Sequence, residues 1–324
     1  DYEKTNQNLS MIAHDLPSEH EALRLLAASQ LRLGLSEEAG NTIAALDALS
    51  DKDNALVSTV GLALVKSGDV DKARVILGKS DNLTAETAED LTRLGLLQLS
   101  LNDVSGIAKL EQALDKKPEQ AFTRQTLSTA YLSSKQYDKA LELAKRWQSE
   151  DAKDVRAIML EATVYANQGN TELAKQTYQK VIAIQPSYVN AYMTLAELAI
   201  SEKAHSKAQQ HIDTVLSHQP THIGALVKTY AFAVANKTQD KALALIETRA
   251  RENSDNQSLQ LLLAKVYLHE QRYADSIAIL TRYPREQAPQ VYWQTLSRAY
   301  YMDKQFDKLT ALNQAWLAQQ PNNK

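Results

Sequence analysis

The stretch YANQGNTELAKQTY, Tyr165 to Tyr178, decides how this chain folds. Gly169 and Ala174 follow Tyr165 at offsets that return along the chain. LVKSGDVDKARVIL supplies Leu64, Gly68 and Ala73, and YLSSKQYDKALELA supplies Tyr131, Tyr137 and Ala140. YLHEQRYADSIAIL supplies Tyr267, Tyr273 and Ser276, and YYMDKQFDKLTALN supplies Tyr300, Phe306 and Leu309. The alanine position recurs at Ala39, Ala73, Ile107, Ala140, Ala174, Ala208, Ala242, Ser276 and Leu309, always 33 or 34 residues apart. Twelve residues earlier runs a second series: Ala27, Gly61, Gly95, Ser128, Ala162, Ala196, Tyr230, Ala264 and Ser297, small at every place but Tyr230. A period held this long is the mark of a stacked array, in which each unit packs only on its neighbours.

Within a unit the apolar spacing is helical. Val155, Ile158, Met159, Ala162 and Tyr165 recur at three and four residues and form one helix face. Gln168-Gly169-Asn170 is a turn, where glycine can take the left-handed conformation that ends a helix and Asn or Thr can cap the next. A second helix is expected from about Thr171 to Ile184, stopped by Pro186. Pro220 and Pro321 hold the same place in their units, and Pro118 lies one residue early. Each unit reads helix, turn, helix, turn. Its two small residues let the paired helices approach closely, and tyrosine fills the wider gaps. The spacing predicts an all-α solenoid of nine such units over 20–323, starting near 20, 54, 88, 121, 155, 189, 223, 257 and 290. Residues 1–19 read as the second helix of a further, preceding unit. Asp307–Gln319 keeps Leu309, Leu312 and Trp316 apolar and otherwise suits a solvent-facing last helix.

Composition narrows the function. Lys and Arg number 36 against 39 Asp and Glu, a net charge of −3 that does not favour nucleic acid. No run is long and apolar enough to span a membrane. Cysteine is absent, which removes disulfides, thiol nucleophiles and Cys-ligated metals. No phosphate-binding glycine loop, H-E-x-x-H or G-x-S-x-G occurs. Glu37/Glu38 read as a solvated helix face. His205, His211, His218 and His222 cluster in one region without a companion carboxylate at helical spacing, and read as solvent-exposed histidines of one repeat. Arg249 and Arg251 are too isolated to form a nucleic-acid surface. Asn8, Asn82, Asn236 and Asn256 head Asn-x-Ser/Thr triplets that matter only in a glycosylating pathway. A non-catalytic protein with no cofactor and no metal is expected.

The small first-helix site, the tyrosines before the turns and the second-helix alanine resemble the tetratricopeptide repeat family, as does Trp293 early in its helix. The resemblance implies a right-handed superhelix whose first helices line a concave groove for peptides. Projected on that groove, the central units offer Phe122, Gln125, Thr129, Arg156, Met159, Thr163, Asn190, Met193 and Glu197 as peptide-binding residues. Methionine adapts to varied partners, and Arg156, Asn190 and Glu197 could orient one. Met159 and Met193 have the alternative use of completing the packing between repeats. The family's carboxylate-gripping subset carries Lys and Asn inside the groove, where Gln125, Met159 and Met193 stand here, so a chaperone-tail mode is not expected. Tyr230, Ile107 and Leu309 depart from the pattern and imply local repacking in the seventh, third and ninth units.

Phrases such as GDVDKARVIL (68–77) and AKQTYQKVIAIQPSYVNAYMTLAELAI (174–200) are similar to the bacterial tetratricopeptide lipoproteins of the exosortase/PEP-CTERM sorting system and to repeat arms of exopolysaccharide-export proteins. That likeness implies a scaffold in the envelope of a Gram-negative bacterium, in the periplasm or held to a membrane by a lipid outside this stretch. A cytoplasmic location is the alternative. The competing reading of function is the targeting arm of a longer enzyme, such as a glycosyltransferase.

Overall fold

The computed structural model describes residues 1–47, 49–80, 83–85, 87–282 and 288–319, which form nineteen α-helices and no strand. Asn82 and Pro321 lie outside the described residues. The chain divides into two compact units, Asp1–Asn170 and Thr171–Lys324. The first holds α1 (Tyr2–Ile12), α2 (Glu21–Arg32), α3 (Ser36–Ala44), α4 (Asn54–Ser67), α5 (Val70–Ser80), α6 (Ala88–Ser100), α7 (Gly106–Lys116), α8 (Ala121–Ser133), α9 (Tyr137–Glu150) and α10 (Val155–Asn167). The second holds α11 (Thr171–Ile184), α12 (Val189–Ser201), α13 (His205–His218), α14 (Ile223–Ala235), α15 (Gln239–Glu252), α16 (Gln257–His269), α17 (Tyr273–Leu280), α18 (Gln290–Met302) and α19 (Phe306–Gln319). Within each unit consecutive helices pack on one another, and like helices stack: α2 on α4, α4 on α6 and α6 on α8 in unit 1, α14 on α16 and α16 on α18 in unit 2. The fold is an all-α solenoid.

The turn inside each hairpin has one design. A single residue takes the left-handed conformation: Gly34, Gly68, Asn102, Lys135, Gly169, Lys203, Lys237, Gln271 and Lys304. Around Gly169 (φ +79°), its own N–H donates to Ala166 O at 3.1 Å and Asn170 N–H donates to Tyr165 O at 2.9 Å. The same two bonds surround Lys135, Lys203 and Lys304, so each turn closes by the double bond pattern that satisfies a helix's last carbonyls. Only three of these nine residues are glycine. A side chain there costs about 1–2 kcal/mol, partly offset by the roughly 0.4–1 kcal/mol that glycine loses through its freer unfolded chain. Lys203→Gly is therefore expected to raise stability by about 0.5–1 kcal/mol, read as a higher urea midpoint with unchanged slope.

The small residues bring the paired helices together as their spacing requires. Ser276 Oγ donates to Ala264 O across the α16–α17 hairpin at 2.8 Å, joining the two series directly. In the α6–α7 hairpin the backbones touch. A Cβ on Gly106 would stand 2.4 Å from Gly95 O, and one on Gly95 would stand 2.7 Å from Gly106 O. The close contact of the third repeat thus belongs to Gly106, one residue before the expected position at Ile107. Here α7 starts four residues after its left-handed Asn102, whereas α9 starts two after Lys135. Residues 103–105 are left as a turn in which Val104 and Ser105 are exposed, with Ser105 N–H donating to Asp103 Oδ1 at 2.9 Å.

Other departures repack as their bulk demands. Tyr230 turns its hydroxyl to Nδ1 of His269, the last residue of α16, at 2.8 Å and to Glu270 just beyond that helix. At the end of unit 2, Trp293 is fully buried and stacks on Trp316, centroids 6.2 Å apart and planes within 7°. That contact and buried Leu312 dock α19.

Candidate binding site

Between first helices α6 and α8 of unit 1 the surface opens into a groove. Leu96, Leu99 and Ser100 of α6 form one wall, Phe122, Gln125 and Thr129 of α8 the other, and Val104 and Ile107 close an end. The groove encloses about 770 Å³. Two large apolar side chains face solvent at its mouth: Phe122, 57% exposed, and Val104, 69% exposed. No lining residue is charged. α7 starts late, so Val104 lies in the turn before it, and the Gly95–Gly106 contact holds α7 against α6. An open, mostly apolar groove with scattered hydroxyls and amides suits a short peptide segment, whose backbone those polar groups can meet.

Of the nine groove residues expected from sequence, the structure gathers Phe122, Gln125 and Thr129 here, with all three exposed. Arg156, Met159 and Thr163 lie on α10 of the same unit and do not line it. The Arg156 guanidinium is engaged elsewhere. It donates to Asp154 through Nε at 3.0 Å and Nη2 at 2.6 Å, and its Cζ lies 5.1 Å from the centre of the Trp147 ring. Arg124 approaches the same indole at 5.3 Å, and Trp147 Nε1 donates to Asp154 Oδ2 at 3.0 Å. Burial alone would raise the Asp154 carboxyl, but the bonds from Arg156 and Trp147 outweigh it and hold the group below its ordinary value. Met159 and Thr163 are half-buried, and Thr163 Oγ1 donates to Met159 O at 2.8 Å. Asn190, Met193 and Glu197 lie on α12, in unit 2. Met193 packs against the core of Val189, Ala196, Ile212, Val215 and Ala225, while Glu197 pairs with Lys228 at 3.2 Å. The wall of Leu96, Leu99 and Val104 was missed by a projection confined to the central units. Its sequence signal was the missing alanine at Ile107.

Beside the groove, first helices are braced to the preceding second helix. Tyr131 OH donates to Glu111 Oε1 at 2.6 Å, and Lys139 Nζ meets the same oxygen at 2.9 Å. In unit 2, Tyr267 OH donates to Glu247 at 2.8 Å, and Arg272 pairs with Glu247 at 2.9 Å while covering the Tyr267 ring at 4.1 Å. Burial, then the bond to Glu247, push the Tyr267 hydroxyl up to about 12. These tyrosines are struts that stay protonated at physiological pH.

The histidines are not uniformly solvent-exposed. His222 caps α14, accepting from Ala225 N–H at 3.1 Å. The rings of His211 and His218 lie 6.1 and 6.4 Å from that of Tyr192. Burial, reinforced by Lys207, lowers the pKa of half-buried His211. Among the described residues no three His, Cys, Asp or Glu side chains converge as a metal would require, and no helix is long and apolar enough to cross a membrane.

The tetratricopeptide repeat profile matches residues 105–164, 165–228 and 233–300, more than half of the chain. The chain belongs to the tetratricopeptide repeat family. No curated protein matches this tetratricopeptide repeat chain in sequence. Among solved structures it is similar to a tetratricopeptide repeat protein from Parabacteroides merdae, at 16% identity over 76% of this chain and 99% of that one, TM-score 0.44. It is also similar to the C-terminal part of a repeat protein from Cytophaga hutchinsonii, at 14% identity over 72% and 96% of the two chains, TM-score 0.45. MamA from Desulfovibrio magneticus RS-1, from residue 41 to its end, matches at 18% identity over 52% and 97%, TM-score 0.41.

Proposed function

We propose that this tetratricopeptide repeat chain is a non-catalytic scaffold that holds a peptide segment of a protein partner in the groove between α6 and α8. The observation that carries the reading is the pair of exposed apolar side chains, Phe122 and Val104, at the mouth of an uncharged groove of about 770 Å³. A rigid array presents such a surface with little left to order on binding. The apolar side chain of the partner fills the space beside Phe122, and Gln125 and Thr129 bond its backbone. Arg156, Met159 and Thr163, and Asn190, Met193 and Glu197 in unit 2, are further candidate contacts. The likeness to PEP-CTERM-system lipoproteins and exopolysaccharide-export arms extends the proposal: the partner belongs to a Gram-negative envelope, and the chain works outside the cytoplasm.

A photo-crosslinking amino acid at Gln125, in cells of the source organism, tests both parts. Crosslinking to one defined envelope protein is expected, and purified partner should bind the Phe122→Glu variant at least tenfold more weakly, about 1.4 kcal/mol. Crosslinks only to cytosolic proteins would overturn the envelope reading. Affinity unchanged by Phe122→Glu would overturn the groove.

A further inference from the structure

The tyrosine that braces a first helix to the helix before it is missing from the seventh repeat. Tyrosine stands four residues before the left-handed turn residue at Tyr131, Tyr165, Tyr267 and Tyr300. Before Lys203 that place holds Ala199, and before Lys237 it holds Ala233. Ala199 is 5% exposed, so its surroundings close over it. Ala233 instead lines an open pocket of about 300 Å³ between α13, α14 and α15.

Unit 1 shows what this pocket lacks. There α7, α8 and α9 enclose about 200 Å³ lined by Leu127, Tyr131, Lys139 and Leu143. Their counterparts three repeats later are Thr229, Ala233, Lys241 and Leu245, and all four line the unit 2 pocket. Tyr131 gives its hydroxyl to Glu111, which also takes up Lys139. In unit 2 the ring and both bonds are gone. Asp213 is spaced from Ala233 as Glu111 is from Tyr131, and it accepts instead from Nε2 of Gln209, a pocket wall, at 2.8 Å. Lys241 is exposed and has no ion-pair partner among the described residues. Thr229 Oγ1 is buried with no hydrogen-bond partner there, a costly state for a hydroxyl. Phe232, where unit 1 has Ala130, forms an apolar wall and meets the His205 ring at 5.7 Å between centroids, and the pocket stays open beside it.

We propose that this pocket binds a small para-substituted phenol, whose ring takes the place that a tyrosine side chain holds in other repeats. About 150 Å³ of cavity is enough for benzene, so the ring fits. Phe232 and Leu245 supply apolar contact for it, and Thr229, Gln209 and Lys241 supply partners for its hydroxyl. A few placed polar groups in a partly apolar concavity are what a small-molecule site needs. The site stands apart from the peptide groove and does not rest on it. On α8 the counterparts Leu127 and Tyr131 lie on the side opposite Gln125 and Thr129, by the helix period.

The test is fluorine NMR of 4-fluorophenol added to the whole chain. Saturable binding in the millimolar range is expected, displaced by 4-methylphenol. Fluorobenzene, which lacks the hydroxyl, should bind at least threefold more weakly. Ala233→Tyr, which restores the ring, should weaken 4-fluorophenol binding at least tenfold. Ala233→Leu, a smaller filling of the same space, should do so too, and each variant is checked for native helicity. Phe122→Glu should leave the binding unchanged, so failure here is read separately from failure of the unit 1 groove. Absent saturable binding, equal binding of fluorobenzene, or full affinity in a folded variant with the pocket filled would each overturn the proposal.

Discussion

Trp293→Ala is expected to destabilise unit 2 by about 3–5 kcal/mol, the range for removing a buried aromatic from a core. Trp293 is only 1% exposed and is among the largest fully buried side chains of the chain. It stacks on Trp316, meets the edge of Tyr292 at 5.5 Å between centroids, and donates from Nε1 to Ala288 O at 3.3 Å. Alanine would remove all three interactions and leave a cavity between α18 and α19. The last helix has few other anchors, since Leu312 is the buried apolar side chain of α19. Array proteins lose structure locally as well as globally, so the first sign should be fast amide exchange across 306–318. The measurement is urea unfolding followed by circular dichroism, paired with hydrogen exchange. Protection of α19 unchanged in the alanine variant would show that the stacked indoles do not hold it.

Gly106→Ala should cost about 1–3 kcal/mol, the usual penalty for forcing an extra carbon into a packed contact. The added Cβ would meet a backbone oxygen, Gly95 O at 2.4 Å, and also Leu99 Cγ at 2.9 Å. A side chain could swing aside, but a carbonyl in the middle of α6 cannot, so the helices must separate. Separation would also move Ile107 and Val104 at the end of the groove. The variant should therefore lose both stability and partner affinity, whereas Gly78→Ala, where no atom lies within 4 Å of the added carbon, should not lose stability through a clash. A Gly106→Ala chain as stable as the parent would mean that the α6–α7 contact is looser than its backbone distance implies.

Much of the hairpin was legible in the sequence, because small residues are forced wherever two backbones must meet. Ala264 and Ser276 read as a contact pair from spacing alone, and a hydrogen bond joins them. Phe122, Gln125 and Thr129 share one side of their helix by its period, while their place on a groove was what the family resemblance implied. Arg156 was less legible. Its spacing places it outward, but Trp147 and Asp154, which take up its guanidinium, come from the preceding helix and the loop between them. The left-handed lysines were also hidden. Glycine announces positive φ, while Lys135, Lys203, Lys237 and Lys304 tolerate it because the two turn bonds offset the strain.

The sequence by itself determined an all-α array of helical hairpins with a period of 33 to 34 residues, because helix periodicity and close packing act over short separations and repeat. Only the tertiary structure decided where the array opens. In the third repeat Gly106 meets Gly95, α7 starts late, and Val104 stands exposed at the mouth of the groove that Phe122 lines. That outcome depends on which of two neighbouring residues, Gly106 or Ile107, meets Gly95, and backbone contact across a hairpin settles that choice where local pattern cannot.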